Sequence, residues 1–148
     1  MAAMEAELCR KVDLVFARTE ALTAAKRRYN ARVEFLPGGV DIDLFDPAHH
    51  EIVPPAIAAL PRPRVGFLGT IDDRLDVELL SATFAQLPDV HLVMAGATKP
   101  HLVDLSALAA LPNVHFLPAY QHHDAPAMIA ALDLCLIPYR LNSYTEGL

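Results

Sequence analysis

The stretch Gly69-Thr70-Ile71-Asp72-Asp73-Arg74-Leu75-Asp76 holds the residue types most able to do chemistry. It follows the apolar run "RVGFLG" and leads into a helical pattern that begins at Asp76. A glycine at a strand end followed by a helix start presents free N–H groups, which suit a phosphate. Arg74 is the cation of this loop and could add a charge-assisted bidentate contact. Asp72 and Asp73 are anions on the same loop, so Arg74 reads equally as a phosphate ligand or as the partner of its neighbours. A second loop, "FLPGGVDIDLFDP" (35–47), places Asp41, Asp43 and Asp46 among Val40, Ile42, Leu44 and Phe45. Pro37 lacks an N–H and Gly38 and Gly39 admit positive φ, so this is a shaped loop with one packed side. Aspartates in such a setting bond their own backbone readily, and turn and cap roles are favoured for these three over catalysis.

Metal chemistry finds little support. His49-His50 and His122-His123 have no third ligand at metal spacing, and Cys9 and Cys135 belong to no CxxC pair. No metal is expected, and both cysteines read as unpaired core thiols.

The elements that must position these loops follow from periodicity. Residues 3–11 suit a helix, and "VDLVFA" (12–17) suits a buried strand. Thr19 is an N-cap candidate for "EALTAAKRRYN", whose early Glu20 and late basic residues match the helix dipole. "RVEFL" (32–36) is a second strand. From 48 to 63, Pro54, Pro55, Pro61 and Pro63 crowd out any long element, which marks a linker. The pattern then restarts: strands at 64–69, 90–96, 114–117 and 134–138, with helices over 76–87, 102–111 and 124–132. Apolar strands alternating with helices predict an α/β fold with parallel sheets covered on both faces. The expected organisation is the end of one Rossmann-like domain (1–47), a Pro-rich linker (48–63) and the start of another (64–148), because the first part has too few strands to bury a sheet alone and the second stops at "YRLNSYTEGL" with no closing strand or helix.

Composition narrows the class. With 148 residues, 53% hydrophobic and 20% charged, the chain is long enough to bury a real core and reads as globular. Residues 1–32 carry seven basic and four acidic side chains, whereas 33–148 carry five and fourteen, within a net charge of −6. Nucleic acid is therefore not an expected partner. Lys26-Arg27-Arg28 could touch anionic lipid, although such a run is more often a solvated face. No apolar run reaches the roughly 20 residues of a membrane span, and Glu5, Glu7 and Arg10 interrupt any signal-peptide pattern. The expected location is cytoplasmic, with peripheral contact at the inner membrane face left open.

The layout, together with "VDLVFARTEAL" (12–22), Gly39-Val40-Asp41, Phe45-Asp46-Pro47, "RVGFLG" (64–69), "NVHFLPAY" (113–120) and "LDLCLIPYR" (132–140), resembles the glycosyltransferases of the GT-B fold, group 1 or family 4 type. The likeness covers nearly the whole chain. It implies two incomplete Rossmann-like lobes and, in the complete protein, retaining transfer of a hexose-type sugar from a nucleotide-diphosphate donor to a sugar or lipid-linked hydroxyl acceptor, without a cofactor. It implies donor contacts at Gly69, Thr70, Arg74, Tyr139, Arg140, Asn142 and Thr145, and a cleft-lining loop at Gly38, Gly39 and Asp41. Thr70 stands where the family usually has arginine. "YQHHD" (120–124) falls where such enzymes place a loop near the nucleotide base. The resemblance leaves the catalytic residues unassigned, and this chain by itself is expected to be inactive.

Two alternatives stay in view. A receiver-like phosphoacceptor module could use Asp72 and Asp73, and a noncatalytic α/β binding domain fits the same elements. A dinucleotide-binding oxidoreductase would need G-x-G-x-x-G after the strand, which "GTIDDR" does not supply.

Overall fold

The computed structural model describes residues 2–46, 48, 53–142 and 145. Pro47, His49 and His50 lie outside the described residues. The backbone divides into two compact units, one built on residues 2–40 with 141, 142 and 145, the other on residues 41–140.

The smaller unit runs α1 (Ala2–Lys11), β1 (Val15–Ala17), α2 (Glu20–Arg27) and β2 (Val33–Phe35). β1 and β2 are parallel, with Val15 opposite Val33 and Ala17 opposite Phe35. Thr19 caps α2 as expected: its backbone is extended and its Oγ1 accepts the Leu22 N–H at 3.2 Å. Asn30 ties the end of α1 to the entry of β1, its amide donating to the carbonyls of Cys9 (2.7 Å) and Val12 (2.8 Å). Its own Oδ1 accepts the Arg32 N–H, which fixes the entry to β2. Ala6, Cys9, Ala17, Thr23 and Val33 are buried, while Phe16, on the opposite face of its strand from Ala17, and Phe35, at the end of β2, are exposed.

The larger unit contains α3 (Pro55–Ala58), β3 (Arg64–Leu68), α4 (Val77–Gln86), β4 (His91–Ala95), α5 (Ser106–Ala109), β5 (Val114–Leu117), a 3₁₀ turn (His122–Asp124), α6 (Ala125–Ala130) and β6 (Leu134–Cys135). Its four strands are all parallel in the order β5-β4-β3-β6. β3 and β4 read as unbroken apolar runs because both faces are covered. On one face Phe67, Leu92 and Met94 pack with Val77, Leu80 and Phe84 of α4 and Leu108 of α5. On the other, Val93 and Ala95 pack with Ile57 of α3 and Met128 of α6. The fold class is thus α/β with parallel sheets, as the alternating pattern predicts.

Buried polar groups knit the chain crossings. The Asn113 amide, ahead of β5, donates to the carbonyls of Phe84, Leu87 and Val90 and so closes the end of α4 onto β4. Arg64 is buried at the start of β3, with Nε on the Leu60 carbonyl and Nη2 on that of Ala58, which satisfies the last turn of α3. Asp133 accepts the Arg64 N–H at 2.6 Å and pairs with Arg62. The Arg64 N–H, more than the arginine charges, holds the Asp133 carboxyl below its ordinary value.

Three local expectations change. Only Ser106–Ala109 of the expected 102–111 helix is helical, because Lys99 to Leu102 closes a turn and Asp104 takes the Ser106 N–H at 2.9 Å. Of the expected 124–132 helix, Asp124 belongs to the 3₁₀ turn and only Ala125–Ala130 is α-helical. Both cysteines are free, but only Cys9 is buried; Cys135 is exposed, since β6 is bonded to β3 alone among the described strands. Among the described residues no helix is long and apolar enough to cross a membrane.

Candidate functional site

The strand order decides where a ligand would sit. From β3 the chain crosses through α4 to β4 and through α5 to β5, always moving the same way, and then returns through α6 to place β6 on the other side of β3. In open parallel sheets the loops leaving two strands at such a reversal diverge and leave a crevice at their carboxyl ends. Here those strands are β3 and β6. The loop after β3 is Gly69 to Asp76, and the loop after β6 contains Tyr139 and Arg140.

Two glycines shape the rim. Gly69 donates its N–H to the Ala95 carbonyl at 2.9 Å, and Gly96, at the end of β4, has φ +144°, where side chains are strained. A Cβ on Gly96 would lie 2.0 Å from the Gly69 carbonyl oxygen, so the two strand ends meet only because residue 96 has no side chain. The "MAG" that ends the β4 run is the sequence signal of this contact. Neither Gly38 nor Gly39 has positive φ, so the conformational reason given for glycine in that loop does not hold.

Arg74 is engaged. Its Nε lies 2.8 and 3.1 Å from the two oxygens of Asp72, and its Nη2 lies 2.8 Å from Oδ2. Asp72 is itself only 8% exposed, and the hydrogen bond from the Arg74 side chain holds its carboxyl below the ordinary range against the opposing effect of burial. The guanidinium carbon is 5.3 Å from the centre of the Tyr139 ring, within cation–π range. Tyr139 also meets Phe67 edge to face at 6.2 Å. Asp76 caps α4 with its own carboxylate, which accepts the Leu79 N–H at 3.0 Å and occupies a donor at the helix start.

The loops on either side of the crevice are joined. Leu75 and Tyr139 form an antiparallel bridge; Arg140 N–H bonds the Arg74 carbonyl and Asp76 N–H bonds the Pro138 carbonyl, both at 2.8 Å. Arg140 Nε donates to the Leu75 carbonyl at 3.1 Å. Arg140 also lines a cavity of about 600 Å³ between α4 and α5, with Asp73, Glu78, Ser81 and Asp104 on its walls. The structure therefore gathers Gly69, Thr70, Arg74, Tyr139 and Arg140 around the ends of β3 and β6.

The other expected site residues fall elsewhere. Asn142 and Thr145 close a turn on each other, Asn142 N–H to Thr145 Oγ1 at 3.0 Å and Thr145 N–H to Asn142 Oδ1 at 3.1 Å, and they group with the smaller unit. Asp41 caps a turn, its carboxylate accepting the Leu44 N–H at 3.1 Å, and Asp46 does the same for Ala48. His122 faces Phe45 at 5.7 Å, and His123 pairs with Asp124. Among the described residues no three His, Cys, Asp or Glu side chains gather in a way that could hold a metal ion. A histidine pair that the sequence reading passed over lies on β4 and β5. His91 Nδ1 and His115 Nε2 are 2.9 Å apart, and burial, reinforced by His91, lowers the affinity of His115 for a proton.

No protein-family model matches the chain. The D-inositol 3-phosphate glycosyltransferase of Mycobacterium sp. (strain KMS) is 30% identical over 137 residues, which cover 86% of this chain and 30% of that protein. The enzyme of the same name from Mycobacterium tuberculosis (strain ATCC 25177 / H37Ra) is 30% identical over 126 residues, 79% of this chain and 25% of that one. Among solved structures, Anabaena Alr3699/HepE in complex with UDP and glucose superposes with a TM-score of 0.68 at 20% identity, over 90% of this chain and 40% of that one. The chain is thus similar to glycosyltransferases in sequence and shares the fold of the HepE protein. It spans less than a third of the length of the curated relatives it matches.

Proposed function

We propose that the chain is part of a glycosyltransferase that moves a hexose-type sugar from a nucleotide-diphosphate donor to a hydroxyl acceptor, and that the loops after β3 and β6 hold the donor. The observation that carries this reading is the reversal of strand order between β3 and β6, which brings Gly69, Thr70, Tyr139 and Arg140 to one crevice. Similarity to the inositol phosphate glycosyltransferases supports the reaction class, and the fold shared with a protein that binds UDP and glucose supports the donor class.

In this reading the glycine-bounded rim lets the diphosphate approach backbone N–H groups, and Arg140 offsets the charge that grows on it as the sugar leaves. The resemblance to the GT-B family supports retention at the sugar carbon, a sugar or lipid-linked acceptor and a reaction without a cofactor. Peripheral contact with an anionic inner membrane surface is supported by the basic end of α2, where Arg10 and Arg28 flank the Tyr29 ring at 5.1 and 4.7 Å.

Calorimetric titration with UDP and with UDP-glucose tests the reading. The 148-residue chain should bind both without turning the sugar nucleotide over, and Arg140→Gln should weaken binding by about tenfold or more through loss of a charge-assisted contact. A chain that is folded by circular dichroism yet binds no nucleoside diphosphate would overturn it.

A further inference from the structure

We infer that Arg74 is a positioning residue: clamped by Asp72 and laid against Tyr139, it locks the loop after β3 to the loop after β6 and thereby fixes the backbone that carries Arg140. This rests on the proposed donor site and assigns Arg74 a role distinct from direct contact with phosphate.

The geometry supports it in three ways. The edge of the guanidinium formed by Nε and Nη2 is directed at the Asp72 carboxylate, and its face lies on Tyr139. A planar fork used in this way orients two partners at once, which a lysine could not reproduce. The clamp also sits beside the backbone ties of the two loops, since Arg74 supplies the carbonyl that accepts the Arg140 N–H. Finally, the anchor is rigid: Ile71 and Leu75, on either side of Asp72 and Arg74, are 0% and 1% exposed. The puzzle of an anion in a phosphate-binding loop then resolves, because Asp72 serves to hold Arg74 and is neutralised by it.

Asp72→Asn separates the two roles by sign. If Arg74 touched phosphate, removal of a neighbouring anion would leave UDP affinity unchanged or raise it. If Arg74 acts by position, Asp72→Asn and Arg74→Gln should each weaken UDP by about tenfold, the double variant should be no worse than either, and Arg74→Lys should fail to rescue. The salt dependence of binding should stay that of the wild type in all of them, as no phosphate contact is lost. Tyr139→Leu, which removes the ring beside the guanidinium, should behave like Asp72→Asn.

A ligand-free readout keeps the inference independent of the donor assignment. In Asp72→Asn the amides of Asp76 and Arg140 should exchange with solvent about tenfold faster, with Val93 in β4 unchanged. Unaltered exchange at residues 76 and 140 would overturn the clamp whether or not UDP binds, whereas failure of the wild type to bind UDP with the exchange result intact would overturn only the donor reading. Asp72→Asn with normal or tighter UDP binding would return Arg74 to direct contact.

Discussion

Residues 2–40 and residues 41–140 are assembled by one rule applied at two depths. In each, a helix leads to a parallel strand, and an asparagine just ahead of the neighbouring strand gathers the carbonyls that the helix end leaves open. Asn30 does this for Cys9 and Val12; Asn113 does it for Phe84, Leu87 and Val90. Asn113 is 3% exposed, whereas Asn30 is partly open to water. The strands differ likewise, since β4 has a neighbour on each edge and helices on both faces, while β1 pairs with β2 alone among the described strands and carries an exposed Phe16. The same hydrogen bonds and the same apolar residues should therefore be worth more in one unit than in the other, and the difference measures what water exclusion adds.

The largest expected contrast is in the strands. Met94→Ala, at a position with 0% exposure, should destabilise the larger unit by roughly 2–5 kcal/mol, and Phe16→Ala, 60% exposed, by about 1 kcal/mol or less. Urea denaturation followed by exchange of the β4 and β1 amides would measure both, and equal losses would break the comparison. Next come the asparagines. Asn113→Ala removes a buried amide that serves three carbonyls, of which that of Leu87 keeps the Val90 N–H, and should cost about 2–3 kcal/mol, against about 1 kcal/mol for Asn30→Ala, where water can replace the amide. Parity between them would mean that the number of bonds matters and their depth does not.

The smallest effect is on pH dependence. The folded protein lowers the proton affinity of His115 from its ordinary value of 6.5, so the unfolded chain binds the proton more readily. Stability should consequently fall as pH drops through about 6.5, level off below the folded value, and be fully present above that window. His115→Gln should flatten the curve between neutral and mildly acidic pH, and a thermal unfolding series across that range that is equally steep in both proteins would count against the pair. The two rings stack with their centres 5.2 Å apart and their planes 21° from parallel, which brings one nitrogen of each within hydrogen-bond distance.

What the sequence made legible was what local pattern can carry. β3 and β4 are readable as strands because coverage on both faces leaves no polar alternation, and Thr19 is readable as a cap because its partner lies three residues on; Asp76 reads as the start of α4, and the structure makes it the cap. The Asp72–Arg74 pairing was readable as one of two alternatives, and loop geometry selects it. The roles of Asn30, Asn113 and Arg64 were not readable, because the carbonyls they satisfy belong to helix ends and strand entries elsewhere in the chain or, for Arg64, to a short helix that the proline-rich composition concealed. Cys135 was misplaced for a related reason: an apolar run does not say whether its strand lies at the centre of a sheet or at its edge.

The strand order has a consequence in time as well as in space. Val15 meets Val33 after a short excursion of chain, but Val65 meets Leu134 only when a loop of about 70 residues closes, and β3 must by then also have found β4. Loop-closure entropy makes that last pairing about 1 kcal/mol less favourable than the first before any side chain is counted. β6 is therefore the strand expected to dock last and to detach first, and the crevice it forms with β3 exists only once folding is otherwise complete.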